Sequence, residues 1–469
     1  MAFAHPALRP GLETQLAEAL TKLPAADVKR LDETLSAACL EREFTYDREE
    51  GGRTAINFLP MPVWLSTQDR AELCKLGRTL RSILVQVLPY ARKHPPIAQL
   101  LPLEPEEEAF LGRVHSKGHD EDPPLLFRLD VDIDFARPDW HESATFYEYN
   151  GSSVGGFYYS KASEMLLCEQ VAATLEVPVP PRIEDGMPDL MLAVMRHQAD
   201  RLGRRGLNIA YIEDRSWTTG ITEGPSLAEY FNRAGARAIV VDPRELRLKD
   251  NDIWAGDLPI DIVYRNMEMR DLVAIEKAEG HLRALEQAFA RNQVVSSIWG
   301  DFDHKSLWEV LDTPEIGRQL TAAERHFLKK HIPWTRTLRH AFTRTPEGDR
   351  ADLLEYVRTH RERLVIKPNR GCGGTGVTLG PAVTAAVWER TIETAQAEPG
   401  QWVVQGFVKN ARRPFPMPAA DGRLVLEDLY TAYGFLTTPT GFGCLGRASR
   451  SGVVNVSQGG GIFPVLSAA

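Results

Sequence analysis

The sequence predicts a chain of mixed α+β and α/β class, with a mainly helical entry, a small parallel layer in the middle and an α+β region built around a glycine-rich loop. Three observations carry that prediction. Apolar residues recur at three and four through the first hundred or so residues, strands alternate with a helical pattern between 207 and 267, and a strand, a glycine cluster and a second strand follow one another from 363 to 379. With 469 residues, 43% of them hydrophobic and 25% charged, two or three packed domains are expected rather than one.

The entry segment, 1–120, contains LETQLAEALTKL, AADVKRLDETLSAACLER and QDRAELCKLGRTLRSILVQVLPYARK, each with one apolar face at helical spacing. A packing role is expected for it. In the segment 121–190 the pattern changes: LFRLDVDIDFARPDWHESATFYEYNG alternates apolar and polar residues on both sides of a Pro-containing turn, as two paired strands do, and SKASEMLLCEQVAATLE then reads as a helix. The segment 191–294 holds the clearest βαβ unit, made of LNIAYIED, GPSLAEYFNRAG, ARAIVVDP and IDIVYRNM, which implies a Rossmann-like layer; DLVAIEKAEGHLRALEQAFARN follows as one long helix. The last segment, 295–469, runs HKSLWEVL, RLVIKP, NRGCGGTG, VTL, TAAVWERTIETA and QWVVQGFV, the order of an α+β nucleotide-binding region.

Composition narrows the partners. A net charge of -9 and a pI near 5.8 argue against nucleic acid or an anionic membrane as the main partner. Five scattered cysteines without CxxC spacing, no apolar run long enough to span a bilayer, and opening residues unlike a signal peptide lead us to expect a cytoplasmic protein.

The glycine loop carries the first chemistry. Gly371, Gly373, Gly374 and Gly376 fall within six residues, beside Lys367 and Pro368. GxGxxG is satisfied formally, but a strand follows where a dinucleotide site needs a helix, and no GxxxxGK[ST] sequence exists. A loop between two antiparallel strands can instead fold over a triphosphate, its glycines letting backbone N–H groups approach the oxygens, with Lys367 as a point charge. WVVQGFV, with Gln405 and Phe407, is expected to be the edge that recognises adenine through its backbone. Cys372 sits in the loop, and no base for a catalytic thiol is identifiable.

The earlier hairpin supplies the second. Arg128 and Asp130 stand two residues apart on one strand and share a face, as do Glu148 and Asn150 on its partner. Paired, they form an oxygen-rich cluster suited to Mg²⁺, which proteins hold through one or two carboxylates and the phosphates of ATP. Asp132 and Asp134 share the face and leave open which aspartate is the ligand.

From residue 126 onward these residues resemble the ATP-grasp superfamily in the circularly permuted order of glutathionylspermidine synthetases and related bacterial proteins. RLD at 128–130 and EYN at 148–150 are similar to the Arg-x-Asp and Glu-x-Asn strands that precede the nucleotide-binding lysines in that family. HKSLWEVL resembles its Asn-Lys helix, which makes Lys305 the first phosphate-contacting lysine, although His304 replaces the usual Asn; VIKPNRGCGGTGV resembles its Lys-Pro and glycine-loop segment. GRASRSGVVNVSQGGGIFPVL is similar to the closing segment of the permuted bacterial proteins and implies that Arg447, Asn455 and Gln458 lie near the site, though the usual Lys-Asp-Thr-Trp continuation is absent.

The resemblance implies a ligase that uses ATP and two Mg²⁺ ions to phosphorylate a carboxylate, after which an amine displaces phosphate to form an amide. Lys305, Lys367, Arg128 and Arg447 are then the catalytic cations, Asp130, Glu148 and Asn150 the metal ligands, and the glycine loop with Gln405, Phe407 and Gln458 the nucleotide site. Ser152 and Ser153, in the turn GSSVGG, and Arg265, at the end of a parallel strand, are candidate substrate contacts. The expected partners are a small carboxylate and an amine, whether amino acid, peptide or polyamine, with homodimer formation left open. The same residues would also serve a kinase that stops at phosphate transfer, or a degenerate nucleotide-binding protein.

Overall fold

Apolar alternation in the C-terminal quarter builds the largest element of the fold. The strands Arg412–Pro418, Leu424–Thr437, Phe442–Ser449 and Gly461–Ser467 form an antiparallel meander, and the early hairpin Arg128–Asp132 and Thr145–Asn150 joins the same sheet by pairing antiparallel with Leu424–Thr437. The computed structural model describes residues 5–469 apart from 48–51, 122, 217–219 and 372, so Cys372 lies outside the described residues. This meander, absent from the sequence expectations, extends the expected nucleotide region into a shared eight-stranded sheet.

The entry segment is helical at Leu12–Lys22, Ala25–Glu41, Thr67–Arg92 and Pro105–Val114, and Ser66 begins the longest of these with a capping box in which its hydroxyl accepts from the Asp69 N–H at 3.1 Å. It is not helical throughout. Asn57–Phe58 and Val63–Leu65 pair parallel with Gly461–Ser467, and Thr45–Asp47 pairs with Gly220–Ile221, so the entry segment is stitched into the rest of the molecule.

The parallel layer is found as expected: Val294–Val295, Ile262–Arg265, Asn208–Ile212 and Arg237–Val241 lie side by side, all parallel, with the helix Gly224–Arg233 as crossover. The expected long helix after it is two, Met269–Glu279 and Arg283–Ala290, because Gly280 adopts φ 94° and ends the first.

A separate four-stranded antiparallel sheet, in the order Thr335–Thr337, Trp402–Gly406, Leu364–Pro368 and Thr378–Leu379, packs on the helices Leu353–Thr359 and Ala385–Ala397. Its core, around Leu354, Ile366, Trp388, Ile392 and Val404, is distinct from the one large core that holds the rest together. Among the described residues no helix is long and apolar enough to cross a membrane.

Candidate active site

Strand pairing sets the acid cluster. Asp130 stands opposite Glu148 and Arg128 opposite Asn150, with the bulge falling just beyond them, between Asp130 and Val131. Asp132, on the far side of the bulge, is engaged elsewhere. Its carboxylate accepts from the Ala411 N–H at 2.7 Å, and burial, aided by repulsion from Asp134, pushes it up to about 6. Of the three aspartates, Asp130 is the one that lines the large cleft, whose volume is about 590 Å³, well within the range of small-molecule sites.

Asp130 is clamped by two guanidiniums. Arg128 Nε lies 2.9 Å from its Oδ1, and Arg447, from the strand Phe442–Ser449, places Nη2 2.7 Å from its Oδ2. Burial alone would raise this carboxyl, but the two arginines outweigh it and hold it at about 2. Gly434, in the strand between, makes room: a Cβ there would lie 2.6 Å from Arg128 Cδ. This packing requirement has no signature in the sequence.

The two lysines arrive from different elements. Lys305 precedes the helix Leu307–Leu311, and its backbone N–H donates to the Asn369 carbonyl at 2.9 Å while Ser306 N–H donates to the Asn369 side chain, fixing it against the root of the glycine loop. Its Nζ donates to the Gly371 carbonyl at 2.9 Å and lies 3.1 Å from Glu148 Oε1. Lys367 ends the strand Leu364–Pro368, buried, with Nζ 5.6 Å above the ring of Tyr147. Burial pulls it down to about 8, with Lys305 adding to the shift and Glu148 opposing it. His304, in place of an Asn, turns away: its Nε2 bonds the Pro102 carbonyl at 2.7 Å, and burial together with the Arg370 charge drives it down to about 3.

The strand, loop and strand order around the glycines is the hairpin expected, with Val365 paired to Leu379. Gly371, Gly373, Gly374 and Gly376 all have positive φ, between 74° and 125°, where a side chain would strain the backbone. Ser457 donates to the Gly373 carbonyl at 3.2 Å, so the C-terminal segment rests on the loop; Asn455 accepts the Ser457 N–H and lines the cleft.

Other expected residues fall differently. WVVQGFV is not an edge: Trp402–Gly406 is paired on both sides, with Gln405 donating to Thr335 Oγ1 at 3.0 Å and the Phe407 N–H taken by the Arg363 carbonyl. Gln405 and Phe407 line the cleft. Gly376 and Gln458 do not line it, although Gln458 Nε2 lies 3.5 Å from the Gly373 carbonyl. Nor does Arg265, which is fully buried and paired with Asp301 at 2.5 and 3.0 Å, its remaining N–H groups donating to the carbonyls of Ser296, Met267 and Ser297. A guanidinium with every donor used has none for a substrate. Ser152 and Ser153 do line the cleft; Ser152 donates to Asp303 at 3.2 Å, and Ser153 holds a positive φ of 48° beside Asn266.

Several cleft residues escaped the sequence reading. Tyr147 lies between Phe146 and Glu148 in the hairpin strand and reads there as strand composition, and Arg370 as a loop residue. In the fold Arg370 lines the cleft and makes a bidentate pair with Glu107 of the entry helix, at 2.7 and 2.8 Å. No local signal links residues so far apart.

The donor set can be judged for Mg²⁺. Asn150 donates its amide N–H to the Arg128 carbonyl at 3.3 Å, which leaves its oxygen as an acceptor, and Glu148 has a second carboxylate oxygen beyond the one near Lys305. Asp130 is fully paired, yet a carboxylate offers about four lone-pair sites and can accept from arginine and face a cation together. The set fits a hard cation.

No protein-family model matches the chain. It is 24% identical over 246 residues to uncharacterised proteins of Mycobacterium bovis and Mycobacterium tuberculosis, covering 47% of this chain and 40% of each of theirs. It is 25% identical over 316 residues to a putative glutamate–cysteine ligase of Frankia casuarinae, covering 63% of this chain and 33% of that one. The match thus spans two fifths or less of the length of these relatives. Among solved structures, a glutathione synthetase-like effector from Globodera pallida in its apo form superposes with a TM-score of 0.61 at 8% identity, covering 95% of this chain and 98% of that one. At that identity the likeness is one of fold, shared with that glutathione synthetase-like effector.

Proposed function

We propose that the protein is an ATP-dependent carboxylate–amine ligase. The observation that carries this reading is the meeting, in one cleft, of Lys305, Lys367 and the glycine loop with the Asp130, Glu148 and Asn150 oxygens and the Arg128 and Arg447 guanidiniums. Phosphoryl transfer needs positioning and charge neutralisation more than covalent chemistry, and such a set provides both. The chain order of these parts, with the acid hairpin ahead of the lysines but joined to the last strands of the sheet, supports the circularly permuted reading.

The steps follow from charge. A substrate carboxylate oxygen attacks the γ-phosphorus of ATP, ADP departs, and the acyl phosphate is attacked by an amine, which expels phosphate and loses a proton. Lys305 exchanges Glu148 for a phosphate oxygen, and Lys367 holds a second. Glu148, Asn150 and Asp130 would hold Mg²⁺, which would supply positive charge against the phosphate oxygens. Arg128 and Arg447 steady the negative charge that grows on the carbonyl oxygen. The glycine loop, with the C-terminal segment lying on it, keeps water from the acyl phosphate.

A screen of carboxylate and amine pairs for ADP release tests the reading. ADP is expected only when both are present, and Lys367→Ala and Glu148→Ala are each expected to lower the rate by at least about a hundredfold. ADP release without an amine points to a kinase, and full activity in both variants removes the site.

A further inference from the structure

Four cations serve the ligase reading, and two carboxylates answer three of them. Asp130 pairs with Arg128 and Arg447, and Glu148 with Lys305. Lys367 is the fourth. It is 7% exposed, so water does little for its ammonium, and among the described residues no ion pair or hydrogen bond engages its Nζ. What meets it is a ring: Nζ lies 5.6 Å from the centre of Tyr147, within reach of the electron-rich face of a phenol.

A β-bulge presents that ring. The pairing passes from Asp130 opposite Glu148 to Val131 opposite Phe146, so Tyr147 is the extra residue, without a partner on the facing strand. Bulges beside active sites re-aim side chains in this way. Phe146, just before it, is sealed in the core, whereas Tyr147 is half-buried and lines the cleft. The strand is also tied to the sheet that carries the lysine. Gln405, paired with Val365 in that sheet, donates from Nε2 to the Tyr147 carbonyl at 3.3 Å. Ring and ammonium thus come from two sheets that are fastened to each other at this point.

We propose that Tyr147 is a positioning residue, its ring the seat that holds the Lys367 ammonium in the cleft before nucleotide arrives. This rests on the ligase reading above and adds a residue to its nucleotide site. Lysine has a flexible four-carbon stem and loses much rotamer freedom when ordered, so a seat that fixes Nζ beforehand strengthens phosphate binding. A carboxylate in the same place would have to be displaced, as Glu148 is from Lys305. The ring does not compete: it meets one face of the ammonium and leaves N–H donors for phosphate oxygens.

Urea unfolding and Mg-ATP calorimetry on the full chain test the seat. Tyr147→Leu removes the ring and Tyr147→Phe keeps it, and each is made alone and together with Lys367→Met. In unfolding, Tyr147→Leu and Lys367→Met are expected to couple by at least about threefold in the equilibrium constant, while Tyr147→Phe and Lys367→Met act additively. Mg-ATP is expected to bind Tyr147→Leu at least about threefold more weakly than wild type, and Tyr147→Phe to restore the affinity. A tyrosine that only fills space would lower stability without coupling to the lysine. If the leucine variant does not fold, Tyr147→Met takes its place. Additive effects of Tyr147→Leu and Lys367→Met overturn the seat, as does a measurable Mg-ATP affinity equal in wild type and Tyr147→Leu. Failure of Tyr147→Phe to restore affinity also overturns it and moves the role to the hydroxyl. Mg-ATP binding by the wild type with additive unfolding removes the seat alone; coupling in unfolding without Mg-ATP binding by any form removes the ligase reading alone.

Discussion

Lys367 shows how burial tunes a single charge for a ligand. Its ammonium is held at about 8, against an ordinary 10.5, because burial costs it more than Glu148 returns. Between those two values the unfolded chain binds this proton and the folded chain does not, so its contribution makes stability rise with pH across that window. A phosphate placed beside it reverses the balance and pulls the proton back. ATP binding at pH 8–9 is therefore expected to take up a proton, read as a binding enthalpy that changes with the ionisation heat of the buffer, and affinity is expected to fall above pH 8. An enthalpy independent of buffer in wild type, and equal to that of Lys367→Ala, would contradict this. Arg265 gives the opposite lesson. Its place at the end of a parallel strand suggests a ligand contact, but its side chain ends on Asp301 with both partners fully buried. Arg265→Met is expected to cost about 3–5 kcal/mol by leaving Asp301 buried and unpaired, measured by urea unfolding, rather than to raise a KM in a stable protein.

At the scale of elements, the glycine loop was the most legible part of the site, and its legibility has a physical cause. Positive φ at four positions restricts the residue type directly, so the requirement is written in the sequence itself. Gly374 adds a steric one, since a Cβ there would lie 2.7 Å from Val453 Cγ1 in the C-terminal segment. Gly374→Ala is expected to weaken Mg-ATP binding several-fold and to cost on the order of 1 kcal/mol in stability, seen together in calorimetry and a melt. The acid hairpin was legible for a related reason. Period-two alternation puts Arg128 with Asp130 and Glu148 with Asn150 on shared faces, and the register then sets each pair opposite the other. What alternation could not tell was which aspartate stays, because the Ala411 N–H that engages Asp132 belongs to a distant segment. WVVQGFV was read as an edge for want of the same information: whether a strand has one neighbour or two depends on Thr335–Thr337, a three-residue strand too short to give a pattern.

Across the whole molecule, the entry helices act as more than a cover. Glu13, fully buried in the first helix, accepts from the N–H groups of Arg9 and Trp64 at 2.7 Å and pairs with Arg413 of the C-terminal meander at 2.8 Å. Glu107 does the same for Arg370 beside the glycine loop. Glu13→Ala is expected to destabilise the protein by about 3 kcal/mol or more in urea unfolding while leaving Mg-ATP affinity unaltered in the folded fraction, whereas Glu107→Ala is expected to lower both. The sequence by itself determined the parallel layer, the glycine hairpin, the acid pair and the lysine beside the loop, because each follows from a local rule of period, sterics or spacing. Only the tertiary structure decided that residues 128–150 and 412–467 share one sheet, that Arg447 closes on Asp130, that Arg265 is sealed against Asp301, and that Asp303 and Glu268 face the cleft. These depend on pairings and burial between distant segments, whose energies come from neighbours that no local stretch of sequence contains.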